Sequence, residues 1–274
     1  MKSQPETDVV AALDTKRWDT DSNPFFTEYY ANESLSETTL QRYTNIRDAV
    51  LRVLGDPEPG LRVADIGCGA GTQCRLWTER GHRIFGLDIN EPLVRLARQR
   101  AAEAQINVTF EVGSATNLPW PDQSMDICLM PELLEHVAEW QDCLNECARV
   151  LKTNGLLFLS TTNKLCPVQQ EFELPFYSWY PSPLKRRYER LAITTRPELV
   201  SHAKYPAVNW FTFFSLRSYL KNLGFECMDR FDIAALRQGN RTASVLTLLR
   251  AIPLLRFLGH VLTPYTVVIA LKQR

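Results

Sequence analysis

Val63-Ala-Asp-Ile-Gly-Cys-Gly-Ala-Gly71 decides how the rest of this 274-residue chain reads. Leu61 to Ile66 is a short apolar run with one acid near its end, the pattern of a parallel strand buried on both faces. Gly67, Gly69 and Gly71 follow as a tight turn, and Thr72 to Arg80 reads as the helix that leaves it. Glycines there let backbone approach a ligand closely and leave bare N–H groups at a helix start. The dinucleotide fingerprint needs G-x-G-x-x-G. Here the third glycine comes one residue early, and Asp65 stands two residues before the first. A carboxylate at that place repels a pyrophosphate and attracts a cationic ligand. Glycine turns between strand and helix occur in many α/β proteins, so the neighbouring segments must decide.

Downstream, Arg83 to Asp88 reads as a second strand ending in an acid. Asn90 opens a helix with Glu91-Pro92 in its first turn, and Leu93 to Ala104 continues it. An acid about 20 residues beyond a glycine turn accepts hydrogen bonds from ribose hydroxyls. Asp88 fits that role, and as a carboxylate beside a helix start it fits a structural one. Asn107 to Val112 alternates as a third strand and Ile127 to Pro131 forms a fourth. Glu139 to Leu151 is an amphipathic helix, and Asn154-Gly155 turns into a fifth strand, Leu156 to Thr161. Such alternation predicts βαβ units and a parallel sheet, whose strand carboxyl ends hold the ligand. Asp65, Asp88, Ser114 and Pro131 all fall at those ends.

Composition narrows the function classes. Lys+Arg and Asp+Glu are both 31, a formal net charge of +0, which argues against nucleic acid as the main partner. Hydrophobic residues make up 45%, enough for a sizeable core. The 7 Cys are odd in number and irregularly spaced, and the start, Met1 to Asp8, is polar, so a reduced cytoplasmic protein is expected. No 18-residue charge-free apolar run occurs, so no spanning helix is expected. Cys143 and Cys147 share a helix face, but no further Cys or His sits at zinc spacing; they read as buried small hydrophobes, and no metal is expected.

From Leu61 to Thr161 the motifs together resemble the class I S-adenosylmethionine-dependent methyltransferases, in the methyltransferase-11-like branch that includes ubiquinone-biosynthesis O-methyltransferases. Asp65 to Gly71 matches D-x-G-x-G-x-G, Leu118 to Asp126 is similar to L-P-[FW]-x-D-x-S-F-D, and Leu133 to Val137 resembles [LV]-L-E-H-[VL]. Two departures stand out: Ser114 replaces the usual acid and Met125 the usual Phe. The resemblance implies a Rossmann-like three-layer α/β sandwich. Its mostly parallel seven-stranded sheet has order 3-2-1-4-5-7-6 with strand 7 antiparallel, N-terminal helices and an insertion after strand 5. It implies S-adenosyl-L-methionine as cofactor, held by Asp65, Gly67, Cys68, Gly69, Gly71, Asp88, Ile89, Asn90, Ser114, Ala115, Thr116, Pro131 and Glu132. The implied activity is methyl transfer to a small or amphiphilic molecule, O-methylation first. N- or C-methylation, or a catalytically silent binding module, are the alternatives. His136, just after strand four, is the candidate general base, and a structural histidine fits there as well.

The flanks match the resemblance only in layout. Residues 1–55 read as an N-terminal helical lid on a methyltransferase domain of residues 56–274. Aromatics of Asn23 to Tyr30, with Phe26 and Tyr30 as substrate-side candidates, serve either the lid or a core. Residues 162–214 form an inserted cap, with Tyr177, Tyr180, His202 and Trp210 as candidates and a basic run, Leu184 to Arg190. Ser215 to Leu223 is a helix, Phe225 to Ile233 a sixth strand and Tyr265 to Leu271 a seventh. Between these strands lies an apolar helical insert, residues 234–264. Its stretch Ser244 to Leu262 fits either packing on the domain or a peripheral membrane contact, with Arg at the head groups. The partner expected is a small-molecule acceptor; nothing in the sequence sets the oligomeric state.

Overall fold

Consecutive apolar residues in a strand mean that both faces of the sheet are covered. In β4 (Met125–Pro131), Ile127 and Leu129 point into one core and Cys128 and Met130 into the other, all of them fully buried. The computed structural model describes residues 24–169, 171–200, 207–236 and 243–273. Beside β4 lie β1 (Arg62–Ile66), β2 (Arg83–Asp88), β3 (Thr109–Val112), β5 (Leu151–Thr162), β6 (Phe225–Asp229) and β7 (Tyr265–Lys272). The order is β3-β2-β1-β4-β5-β7-β6, with β7 antiparallel to both neighbours and the other pairs parallel. The expected topology is therefore present.

Helices α1 (Pro24–Glu33), α2 (Glu37–Val53), α3 (Thr72–Thr78) and α4 (Glu91–Glu103) precede β3. Of these α2, α3 and α4 pack on one sheet face through Ile46, Val50, Cys74, Trp77, Val94 and Ala97. α5 (Trp140–Val150) and α7 (Phe213–Asn222) cover the other through Cys143, Leu144, Cys147, Leu216 and Leu220. Cys143 and Cys147 are core residues, as their spacing suggested.

Two strand boundaries differ from the sequence reading by more than two residues. β5 begins at Leu151 instead of Leu156, pairing with Met125 before a register irregularity. β6 ends at Asp229 instead of Ile233, because a capping box starts a helix there. The Asp229 carboxylate accepts the Phe231 and Asp232 N–H groups at 2.9 and 3.0 Å, and Asp232 accepts the Asp229 N–H at 3.2 Å. α8 (Arg230–Ala235) results. The alternation of Phe231 and Ile233 mimicked a strand, and the D-x-x-D signal outweighed it.

Beyond β5 the chain leaves the sheet. Tyr177–Trp179 form a 3₁₀ turn, α6 spans Ser182–Thr194, and Phe172 bridges to Val200. This cap has its own small core of Phe172, Tyr177, Ala192 and Val200. The insert before β7 consists of α9 (Ala243–Ala251) and α10 (Pro253–Val261). Its inner side is anchored at Asp229, which takes Arg256 Nε at 2.6 Å and lies 3.0 Å from His260 Nε2. Arg250 and Arg256 both pair with Asp232. These arginines face the domain, not the head-group positions expected from sequence. Among the described residues no helix is long and apolar enough to cross a membrane.

Candidate functional site

The carboxyl ends of β1 to β4 converge on the glycine turn. Gly67 and Cys68 donate their N–H groups to the Leu87 carbonyl at 2.8 and 3.0 Å, and Gly71 donates to Cys68 at 2.9 Å. Gly69 N–H goes to Asp88 Oδ2 at 2.8 Å. Four turn donors are thus spent inside the protein, contrary to the bare N–H groups expected from sequence. A turn without those donors is poorly equipped for a phosphate. Gly71, with φ +78°, caps α3, and a Cβ there would stand 2.9 Å from both Ala97 and Phe110, so only glycine suits it. At Gly69 a Cβ would meet nothing within 4 Å, so the turn is open on that side.

Asp65 lies beneath the turn, 1% exposed, rather than on its surface. Its oxygens accept Gln73 Nε2 at 2.9 Å and the Cys74 thiol at 3.2 Å. Burial pushes its carboxyl up to about 6, against the pull of those two hydrogen bonds. Any attraction for a cation therefore acts across the turn. Nearby, Thr72 Oγ1 and Gln73 Oε1 are buried with no hydrogen-bond partner among the described residues.

Asp88 is half-buried and does two jobs at once. Besides Gly69 it accepts the Asn90 N–H at 2.8 Å, while Asn90 caps α4 by accepting Leu93 N–H at 2.9 Å. Both readings of Asp88 are therefore compatible, since a carboxylate has about four lone-pair sites. The side chains of Ile89 and Val112, at the ends of β2 and β3, are 47% and 46% exposed. Ser114 Oγ lies 2.8 Å from Thr116 Oγ1 and accepts Thr116 N–H at 3.2 Å, so Ser114, Ala115 and Thr116 form a half-buried turn just after β3.

After β4, Pro131 is half-buried and Glu132 takes a left-handed φ of +52°. Glu132 donates its N–H to Ser160 at 2.8 Å, and its carboxylate pairs with Arg42 of α2. Such strain in a non-glycine residue costs about 1–3 kcal/mol and gathers at functional sites. Glu135 is 1% exposed and accepts Thr161 Oγ1 at 2.8 Å; burial, followed by the nearby Glu171 charge, pushes its carboxyl well up. His136 ends a 3₁₀ turn, Leu134–His136, and is half-buried. The phenol of Tyr30, on α1, is raised by burial and then by the charge of Glu171.

The other acceptor-side candidates fare differently. Tyr177 is fully buried and stacks on Phe172 at 3.9 Å, while Tyr180 and Trp210 pack around it, so these three build the cap interior. Lys185 of the basic run also turns inward, donating to Ser178 at 2.8 Å and sitting 4.3 Å above Trp210; burial pulls it down to about 8. Phe26 falls in α1, where its side chain is not described, and His202 lies outside the described residues. Sequence reasoning missed Arg42, which pairs with Glu132, and its neighbour Tyr43, over whose ring the Arg42 guanidinium lies at 5.0 Å. Tyr43 precedes Ile46 and Val50 on the apolar stripe of α2, a signal that could have found it.

Comparison with known proteins adds a family likeness to this geometry. Residues 64–159 match the family model described as a methyltransferase domain. A ubiquinone biosynthesis O-methyltransferase of Sinorhizobium fredii is 35% identical over 129 residues, covering 45% of this chain and 52% of that protein. The chain spans about half the length of the curated relatives it matches. An S-adenosylmethionine dependent methyltransferase from Mesorhizobium loti superposes with a TM-score of 0.53 at 20% identity, over 81% of this chain and 96% of that one. An N-methyltransferase of Haemonchus contortus, in complex with phosphomonomethylethanolamine and S-adenosylhomocysteine, gives a TM-score of 0.54 at 15% identity, over 91% and 60%. At these identities the two structures show the same fold.

Proposed function

We propose that this chain transfers the methyl group of S-adenosyl-L-methionine to a hydroxyl of a small, amphiphilic molecule. The observation that carries the reading is the turn itself, open at Gly69, closed to phosphate, and flanked by a carboxylate and two bare apolar side chains. A nucleoside without a pyrophosphate needs those three things. Asp88 would take the ribose hydroxyls, Ile89 and Ser114 to Thr116 the adenine, and the region of Gly69, Thr72 and Gln73 the amino-acid end. Support comes from the methyltransferase-domain match and from relatives named as O-methyltransferases.

When bound, the cofactor supplies a methyl already activated by the sulfonium charge. The protein then mainly aligns the acceptor and excludes water. Pro131 and Glu132 would border the methyl, and His136, directly after them, would hold the acceptor oxygen by a hydrogen bond. α1 and the cap, as lid and roof, would shut out solvent. Isothermal calorimetry is expected to show S-adenosylhomocysteine binding and no binding of a nicotinamide dinucleotide. The reverse result would remove the methyltransferase reading.

The bare outer faces of α9 and α10 support a membrane contact as part of this proposal. Leu254 and Leu262 are 66% and 79% exposed, with Val245, Leu248, Phe257 and Leu258 also bare. An apolar face of this kind suits a lipid surface from which an amphiphilic acceptor is drawn. Arg186, Arg187 and Arg190 of α6 are exposed and available to anionic head groups. Sedimentation with anionic vesicles at low salt is expected, and its loss in Leu254→Asp/Leu258→Asp. A wild-type chain that stays in the supernatant would remove the contact.

A further inference from the structure

A groove lies on the sheet face that α2 covers, apart from the glycine turn. It encloses about 700 Å³ between α2 and α8, over β5 and β7. That is within the roughly 300–1,000 Å³ usual for small-molecule sites. Its apolar lining is Ile46 and Ala49 of α2, Phe158 of β5, Ile233 of α8 and Val267 of β7. Ile46 and Phe158 belong to the core of this face, with Ile233 and Val267 packed against it. From Thr38 to Ala49 the groove follows α2 for about 17 Å, at about 1.5 Å per residue. At the rim, Gln41 Nε2 donates to Asn45 Oδ1 at 3.2 Å, so these amides pair with each other. A long furrow with an apolar floor and a self-paired rim suits a hydrocarbon chain.

Strand register joins the groove to the candidate site. Pro131 of β4 is opposite Ser160 of β5, and Ser160 is opposite Val267 of β7. At about 4.8 Å per strand, Val267 lies roughly 10 Å from Pro131 along this row. Ser160 also accepts the Glu132 N–H at 2.8 Å. Leu129, Phe158 and Ile269 face the α2 side, and Pro131, Ser160 and Val267 share that face at a spacing of two residues. Phe158 is then about 7 Å deeper along the strand than Ser160. Arg42 completes the link, lining the groove while its guanidinium pairs with Glu132. Its charge is thereby matched. Arg42 Nε is buried with no hydrogen-bond partner among the described residues, a donor left for an oxygen near the head of a ligand.

Resting on the methyltransferase reading above, we propose that this groove holds the uncharged apolar chain of an amphiphilic acceptor whose hydroxyl lies beside Pro131 and Glu132. The chain passes Arg42, crosses Val267 and runs over Phe158 between the walls made by Ala49 and Ile233. Recognition is then divided between two places. The carboxyl ends of β1 to β4 take the cofactor, and the furrow over β5 and β7 takes the tail. Each methylene buried there is worth about a fourfold gain in affinity. Chain length, more than the head group, therefore sets which acceptors stay long enough to react.

The test titrates 4-n-alkylphenols, from methyl to octyl, into the full chain saturated with S-adenosylhomocysteine and reads affinity by calorimetry. Affinity is expected to rise about fourfold for each methylene that enters the groove, then to level off. Ala49→Trp fills the groove, so the rise should stop at a shorter chain, with S-adenosylhomocysteine affinity unchanged. Ile233→Asp, on the opposite wall, sets a charge against the chain and should weaken octylphenol binding about tenfold or more. Because the two walls belong to separate helices, either folded variant suffices as a test. No rise in the wild type, or an unchanged rise in a folded variant, would overturn the assignment. A wild-type dimer that Ala49→Trp turns into a monomer would overturn it too, marking the groove as a contact between copies. Failure to bind S-adenosylhomocysteine would instead strike the methyltransferase reading itself.

Discussion

Asp229→Ala is expected to destabilise the chain by about 3–5 kcal/mol, the cost of leaving buried partner charges uncompensated. Asp229 is fully buried at the end of β6 and holds three elements at once. It caps α8 through two backbone N–H groups, pairs with Arg256 at 2.6 Å, and lies 3.0 Å from His260. The imidazole of His260 stacks on Phe213 at 5.2 Å and has Phe214 and Phe231 against its edges. Its carbonyl accepts Asn163 Nδ2 at 2.7 Å, tying the insert to the sheet. Arg256 is 27% exposed and keeps Asp232 as a second partner, which places the loss toward the lower end of that range. Urea unfolding should show a lower midpoint at an unchanged m-value. A loss below about 1 kcal/mol would mean that these ion pairs add no more than surface ones do.

The same site sets a pH dependence of definite sign. Hydrogen bonds from His260 and Arg256 overcome the burial cost and hold the Asp229 carboxyl below the ordinary carboxylate range. A depressed carboxyl stabilises the folded state above its unfolded value of about 3.9 and loses that contribution as pH falls through the folded value. The stability gap between wild type and Asp229→Asn should therefore be full at neutral pH and shrink only in strong acid.

The second large effect is on ligand affinity. Asp88→Ala should weaken S-adenosylhomocysteine binding by roughly 10²-fold, about 3 kcal/mol, the upper end for hydrogen bonds to a charged group. Loss of the proposed ribose contacts is one reason. The other is that Asp88 Oδ2 holds Gly69 N–H, so the open corner of the turn loses its anchor with the carboxylate. Asp88→Asn keeps an oxygen acceptor for one of the two N–H groups and should fall between wild type and alanine. Calorimetry showing equal affinity in a folded alanine variant would refute the ribose role.

The strands, the glycine turn and the placement of Asp65, Asp88, Ser114 and Pro131 at strand ends were readable because they obey local rules, whereas the sheet order came only from the family resemblance. Period-two burial and a glycine turn at fixed spacing each need only a few consecutive residues. Where two local signals competed, as at Asp229 between alternation and capping, the reading went wrong. The acceptor side was largely illegible for a different reason. Arg42 and Glu132 lie 90 residues apart in sequence and pair only in the folded chain. Tyr177 and Trp210 show the converse. Their aromatic character suggested a pocket, and the cap used it to make a core of its own.

That cap leaves and rejoins the sheet at a single doorway. Asn163 bridges to Phe211, Lys164 N–H reaches the Phe211 carbonyl at 2.7 Å, and Thr162 Oγ1 reaches Asn209 at 3.0 Å. Closing a loop whose ends already meet costs little more when the loop lengthens, about 0.6 kcal/mol per doubling. The segment between these ties can therefore lengthen or be exchanged at small cost while the sheet beneath keeps its register.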